Sequence, residues 1–195
     1  MSQAFKTFDQ FINEKLSENP NFRIFCDLDG VLVDFDRGFL ELPGNTEKLT
    51  CKEYQEKHGD NSIWPIIEQG GEDYWVNLQW MSDGRELWDY IKRYDPIILS
   101  SPSLSQSSIT GKTKWVSQNL NIDQEPITDP ENLQPDSRLI LHKDKFKFAT
   151  GETDILVDDT EKKLTDWTEA GGTGILHNDA TDTIRVIEEL MTSQS

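Results

Sequence analysis

The sequence predicts an α/β protein in three layers, with a central parallel sheet covered by helices and a small helical cap inserted after the first strand. Three observations carry this expectation. Short apolar runs recur at Phe22 to Cys26, Pro96 to Leu99, Leu139 to Leu141, Ile155 to Val157 and Gly174 to Leu176. Stretches with helix-like apolar spacing separate the later ones, and apolar strands alternating with helices argue for a parallel sheet buried on both faces. A polar stretch rich in Trp and Tyr, residues 36–81, lies between the first two runs and is longer than the sheet needs, which marks a lid.

Taken in order, Ser2 to Leu16 spaces Phe5, Phe8, Phe11, Ile12 and Leu16 three and four apart, as an amphipathic helix does. The first strand stops at Asp27-Leu28-Asp29-Gly30. Pro43-Gly44, Pro65 and Gly70-Gly71 punctuate the insertion. Helices are expected around Asp83 to Tyr94, Lys112 to Leu120, Glu161 to Ala170 and Thr181 to Met191. Ser100 to Ser108 reads as a loop, and Gly171-Gly172 as a helix stop before the last strand. The chain divides into a core of residues 1–35 and 82–195 and a cap of residues 36–81.

Composition narrows the function. Of the 195 residues 35% are hydrophobic, six of them Trp, which is enough apolar bulk for a folded core. No apolar run approaches the ~20 residues of a membrane span, and residues 1–20 are amphipathic rather than signal-like, so the cytoplasm is the expected location. Cys26 lies in an apolar strand and is expected as a buried free thiol rather than half of a disulfide with Cys51. A formal charge of −17 disfavours nucleic acid and anionic membranes as partners. A single phosphate is different, because one metal ion and one lysine can hold it locally.

The chemistry gathers at strand ends, where open α/β sheets bind ligands. Asp27 and Asp29 are two apart and face the same way in an extended chain. Such a pair can hold a divalent cation and divide nucleophilic and acid/base work. Ser100, followed by Ser101, ends the second strand, where a hydroxyl can hold a phosphoryl oxygen. After the third strand comes Lys143-Asp144-Lys145, either lysine of which can neutralise phosphate. Asp158-Asp159 ends the fourth; adjacent aspartates repel unless a cation lies between them, although Asp159 could instead cap a helix. Gly111-Lys112-Thr113 mimics the end of a phosphate-binding loop, but position 106 is Gln106 rather than the required glycine. The three histidines, His58, His142 and His177, show no zinc-ligand spacing.

In this order the motifs resemble the haloacid dehalogenase-like (HAD) phosphohydrolase superfamily over Phe22 to His177. Within it the likeness is to the 5'(3')-deoxyribonucleotidases, through DLDGVLVDF from Asp27, YWVNL from Tyr74, ILSSPS from Ile98, GKTKWV from Gly111, and KDK followed by ILVDD. The family's Thr-Ser-Pro stands here as Ser100-Ser101-Pro102, and the cap and Asn121 to Ser137 match poorly. The resemblance implies a Rossmann-like core and a magnesium-dependent phosphatase acting on nucleoside monophosphates, deoxy forms preferred. Asp27 would be the nucleophile, Asp29 the acid/base, Lys145 the motif lysine, and Ser100 and Ser101 the phosphate ligands. Mg2+ would be held by Asp27, Asp29 (through its carbonyl) and one of Asp158 and Asp159. Superfamily dehalogenases lack the second aspartate, so Asp29 favours phosphoryl transfer. Phe35, Tyr74 and Trp75 are candidates to enclose a base. The alternatives are a phosphatase of another small ester, such as a sugar phosphate, and a non-catalytic acidic binding protein on the same scaffold. Subunit number, a homodimer included, stays open.

Overall fold

Five short strands align in parallel in the order β3-β2-β1-β4-β5. They are β1 (Arg23–Cys26), β2 (Ile97–Ser100), β3 (Leu139–Leu141), β4 (Asp154–Asp158) and β5 (Thr173–Leu176). The computed structural model describes residues 22–193, so the helix expected over Ser2 to Leu16 lies outside the described residues. Within them, each strand lies within a residue or so of its expected place, because continuous apolar runs leave few registers that bury them.

Side chains along each strand alternate between two apolar layers. Ile24, Cys26, Ile98, Leu139, Leu141, Ile155 and Val157 point to one, with Leu87, Trp115 and Ile187 from α4 (Gly84–Ile91), α5 (Gln106–Leu120) and α7 (Ala180–Ser193). Phe25, Ile97, Leu99, Ile140 and Leu156 point to the other, under Leu164 and Trp167 of α6 (Glu161–Glu169) and Phe148. Trp167 meets Phe25 edge-on at 5.0 Å and donates from Nε1 to the Asp154 carbonyl at 3.0 Å. The three-layer α/β sandwich is therefore as expected.

The chain runs from β1 to β2 and β3 on one side, then returns to β4 and β5 on the other. This reversal opens a crevice at the carboxyl ends of β1 and β4, where doubly wound sheets place ligands.

Between β1 and β2 lie α1 (Phe35–Glu41), α2 (Cys51–His58) and α3 (Trp64–Val76). Asp34 caps α1 by accepting from the Arg37 amide at 3.0 Å, and Thr50 with Glu53 forms a capping box on α2. Phe39, Ile67 and Trp75 join the same apolar cluster as Val31 and Trp115, so the insertion packs continuously onto one face of the sheet layer. Its exit is tied to the loop after β1: the Asp34 amide donates to the Gln79 carbonyl and the Met81 amide to that of Leu32, both at 2.8 Å.

One boundary differs from expectation. Helix α5 begins at Gln106, inside the serine-rich stretch read as a loop, because Ser105 caps it by accepting from the Ser107 amide at 3.3 Å. Its first turn carries serines in place of the apolar spacing that marks a helix. Cys26 and Cys51 are buried free thiols. Among the described residues, no helix is long and apolar enough to cross a membrane.

Candidate active site

Asp27 is the first residue beyond β1, and its amide donates to the Val157 carbonyl at 3.0 Å, so the β1–β4 ladder fixes its position. The chain then turns tightly, with the Val31, Leu32 and Val33 amides all donating to the Leu28 carbonyl. Gly30 is required twice in this turn. Its φ of +78° belongs to the left-handed region, and a Cβ there would lie 2.1 Å from Asp159 Oδ2. The bare glycine thus lets the Asp159 carboxylate lean over the turn.

Asp27, Asp158 and Asp159 offer ligand atoms within 4.8 Å of one another, a set of hard oxygens that fits Mg2+. Asp27 and Asp158 are buried. Asp159 is exposed over much of its surface while its carboxylate is tucked against Gly30. The helix-cap alternative for Asp159 does not hold: Thr160 occupies that place, and its hydroxyl donates to Asp159 Oδ1 at 3.1 Å.

Three lysines answer these acids. Lys145, in the 3-10 turn Lys145–Phe148 after β3, is 2% exposed and reaches Asp27 Oδ2 at 2.8 Å and Asp158 Oδ2 at 2.6 Å. Its neighbour Lys143 is exposed. Burial thus separates two lysines that sequence chemistry left equivalent. Lys112 is also 2% exposed, and donates to Asp29 Oδ2 at 2.5 Å, to Ser100 Oγ at 2.9 Å and to the Ser101 carbonyl at 3.0 Å. Lys163, in the first turn of α6, lies 3.5 Å from Asp27 Oδ2 and 3.9 Å from Asp158 Oδ2.

These charges set the protonation of the centre. Burial alone would push the Asp27 carboxyl up, but Lys145, with Lys163 and Lys112 behind it, holds it well below the usual carboxylate range. Desolvation and the charge of Asp27 push Asp158 up. Desolvation, followed by Asp27 and Asp158, raises Asp159 to about 6. Asp27 is thus the carboxylate kept ionised, as a nucleophile must be.

Ser100 is buried and already engaged by Lys112, whereas the Ser101 hydroxyl oxygen is buried with no partner among the described residues. A buried hydroxyl without a partner is costly, and a phosphoryl oxygen would satisfy it. Tyr74 and Trp75, at 7% and 2% exposure, are packed in the insertion. The Trp75 ring lies under Lys112 Nζ at 5.1 Å and beside Phe35 at 5.7 Å, and Tyr74 donates to the Phe35 carbonyl at 3.2 Å. Phe35 is the partly exposed member of this trio.

Sequence reasoning missed Lys112 and Lys163. Lys112 had a signal: it shares a helix face with Ser108, Gly111, Trp115 and Val116, all buried, and lysine on such a face needs a partner. For Lys163 the hint is fainter, a cation in a first turn that favours acids.

No family profile matches the sequence, and no curated protein sequence matches it. Solved structures do. A structure described as a haloacid dehalogenase-like hydrolase from Burkholderia xenovorans LB400 superposes with a TM-score of 0.50 at 10% identity, covering 87% of this chain and 97% of that one. A HAD-superfamily hydrolase from Ehrlichia chaffeensis gives 0.49 at 15% identity, covering 87% and 97%. A hydrolase from Streptococcus pneumoniae TIGR4 gives 0.48 at 9% identity, covering 86% and 99%. At these identities the likeness is one of fold, which the Burkholderia structure carries: the chain has the fold of the HAD-superfamily hydrolases.

Proposed function

We propose that this protein is a magnesium-dependent phosphatase that hydrolyses nucleoside monophosphates, deoxy forms preferred, through an aspartyl-phosphate. The observation that carries the reading is Asp27, a buried carboxylate held ionised by Lys145 at the carboxyl end of the central strand, within reach of Asp158 and Asp159. Asp27, Asp158 and Asp159 would hold Mg2+, with the Asp29 carbonyl, and the bound ion would offset the repulsion between an anionic nucleophile and an anionic ester.

Asp27 attacks phosphorus and the ester oxygen leaves. The Ser101 hydroxyl and Lys112 take phosphoryl oxygens. As one arrives at Lys112, it competes with Asp29 Oδ2; the freed carboxylate takes a proton from solvent, passes it to the leaving oxygen, and as a carboxylate again removes one from the water that cleaves the acyl-phosphate. Phe35, over Tyr74 and Trp75, forms the apolar wall for a base. Support for the nucleotide comes from the YWVNL and ILSSPS likenesses and from the partly exposed Phe35, whose neighbour Trp75 lies under Lys112.

The test is phosphate release from 5'- and 3'-deoxynucleoside and ribonucleoside monophosphates, sugar phosphates and an aryl phosphate, with magnesium or EDTA. Magnesium-dependent release, fastest from deoxynucleotides and lowered at least about a thousandfold in Asp27→Asn, is expected. Release from sugar or aryl phosphates alone would overturn the substrate assignment. No release from any compound would overturn the enzyme reading.

A further inference from the structure

Two of the three lysines have evident work, and Lys163 does not. Lys112 answers Asp29, and Lys145 lies between Asp27 and Asp158 on the buried side. Lys163 approaches the same two oxygens, Asp27 Oδ2 and Asp158 Oδ2, from α6 with its side chain 30% exposed. Its neighbour Lys162, by contrast, is 81% exposed and pairs with Asp166 one turn along the helix.

Four carboxylates meet at these strand ends, Asp27, Asp29, Asp158 and Asp159, against three ammonium groups. The formal sum is about −1 with all groups charged, +1 once a divalent ion enters, and −1 again with a phosphate dianion. Without Lys163 each state is one unit more negative. Such a change helps a cation bind and hinders an anion, most strongly where the charge is short-range and half-buried.

We propose that Lys163 is a tethered cation that competes with the divalent metal for Asp27 and Asp158 and, in return, strengthens the hold on the substrate's phosphate. It is a positioning residue, one that sets the balance between metal and phosphate binding without touching the leaving group. The inference rests on the metal-dependent phosphatase reading of this site.

Calorimetric titration of the wild-type protein, Lys163→Met, Lys163→Arg and Lys162→Met with Mg2+, and then with inorganic phosphate in saturating Mg2+, tests it without turnover. In Lys163→Met, Mg2+ should bind roughly tenfold tighter and phosphate roughly tenfold weaker, the scale of one pK unit of charge interaction. Lys163→Arg should stay near wild type, and Lys162→Met should move neither affinity. Unchanged or weaker Mg2+ binding in Lys163→Met overturns the inference, as does an equal change in Lys162→Met, which would show bulk charge at work. If the wild-type protein binds Mg2+ and phosphate but the Lys163 variants do not differ from it, the phosphatase reading stands and Lys163 loses its role. If the wild type binds neither, that reading fails and takes the inference with it.

Discussion

The strand ends and the inserted helices solve opposite problems. At the strand ends four carboxylates are forced together, and three lysines from separate elements hold them there. In the insertion, Phe35, Tyr74 and Trp75 pack against one another, Tyr74 edge-on to the other two, and Phe35 also meets Trp64. Charge is placed by backbone ladders that tolerate little movement, whereas aromatic surface is placed by packing, which tolerates much more. Chemistry should therefore be the rigid property of this molecule and substrate choice the adjustable one. Lys112 and Gly111 lie at the seam, on the face of α5 that meets both regions.

Lys112→Met offers the sharpest break. The substitution keeps the volume and removes the ammonium that links Asp29, Ser100 and Ser101. If phosphoryl oxygens use it, kcat/KM should drop about a hundredfold, as for loss of one preorganised donor. The stability cost should be about 1–3 kcal/mol: the Asp29 side chain, 27% exposed, can turn to water, but the buried Ser100 hydroxyl loses its partner. A melting temperature that falls steeply while kinetics hold would assign Lys112 to the core instead.

Gly111→Ala tests the other side of the seam. A Cβ at Gly111 would stand 2.3 Å from Trp75 Cβ and 3.1 Å from the Glu72 carbonyl, so α3 must move away from α5. The expected cost is about 1–3 kcal/mol of stability, the usual range for overpacking, read from denaturant unfolding. Kinetically KM for nucleotides should rise with kcat less affected, since Asp27 and its ladder are untouched. An equal loss in kcat would show that the insertion also positions the reacting groups.

What the sequence made legible follows the same division. Asp27, Asp29, Ser100 and Asp158 stand at or just beyond the ends of strands, so finding the strands locates them; Lys145 lies one short turn beyond β3, where burial separates it from Lys143. Lys112 and Lys163 come from helices and reach the centre through tertiary packing, which no local pattern encodes. The placing of Tyr74 and Trp75 depends on how α3 settles against α5, a contact decided by Gly111 and not by the aromatics' own spacing. The start of α5 was obscured because its first turn is built from serines that cap and hydrogen-bond to one another, such as Ser105 with Ser107.

The smallest expected effect is on pH-dependent stability, and it probes the strand ends away from the lysines. His177 follows β5; its amide donates to the Asp158 carbonyl and its Nδ1 lies 2.9 Å from Thr183 Oγ1. Burial pushes its imidazole below the ordinary value of 6.5, against the pull of Asp83 and Asp179. A base with a depressed folded value binds fewer protons folded than unfolded, so the stability it contributes is present above 6.5 and is lost as pH falls below it. Asp159 works the other way: its value, raised to about 6, makes the folded state bind more protons, so metal-free protein gains stability as pH falls through that range. The two slopes partly cancel in the wild type. His177→Asn keeps a polar atom near Thr183 and removes one of them, so between pH 7 and 5 the variant should lose less stability than wild type, or gain some, in metal-free urea titrations. Parallel curves for the two proteins would mean that His177 takes up its proton in the folded state as readily as in the unfolded one.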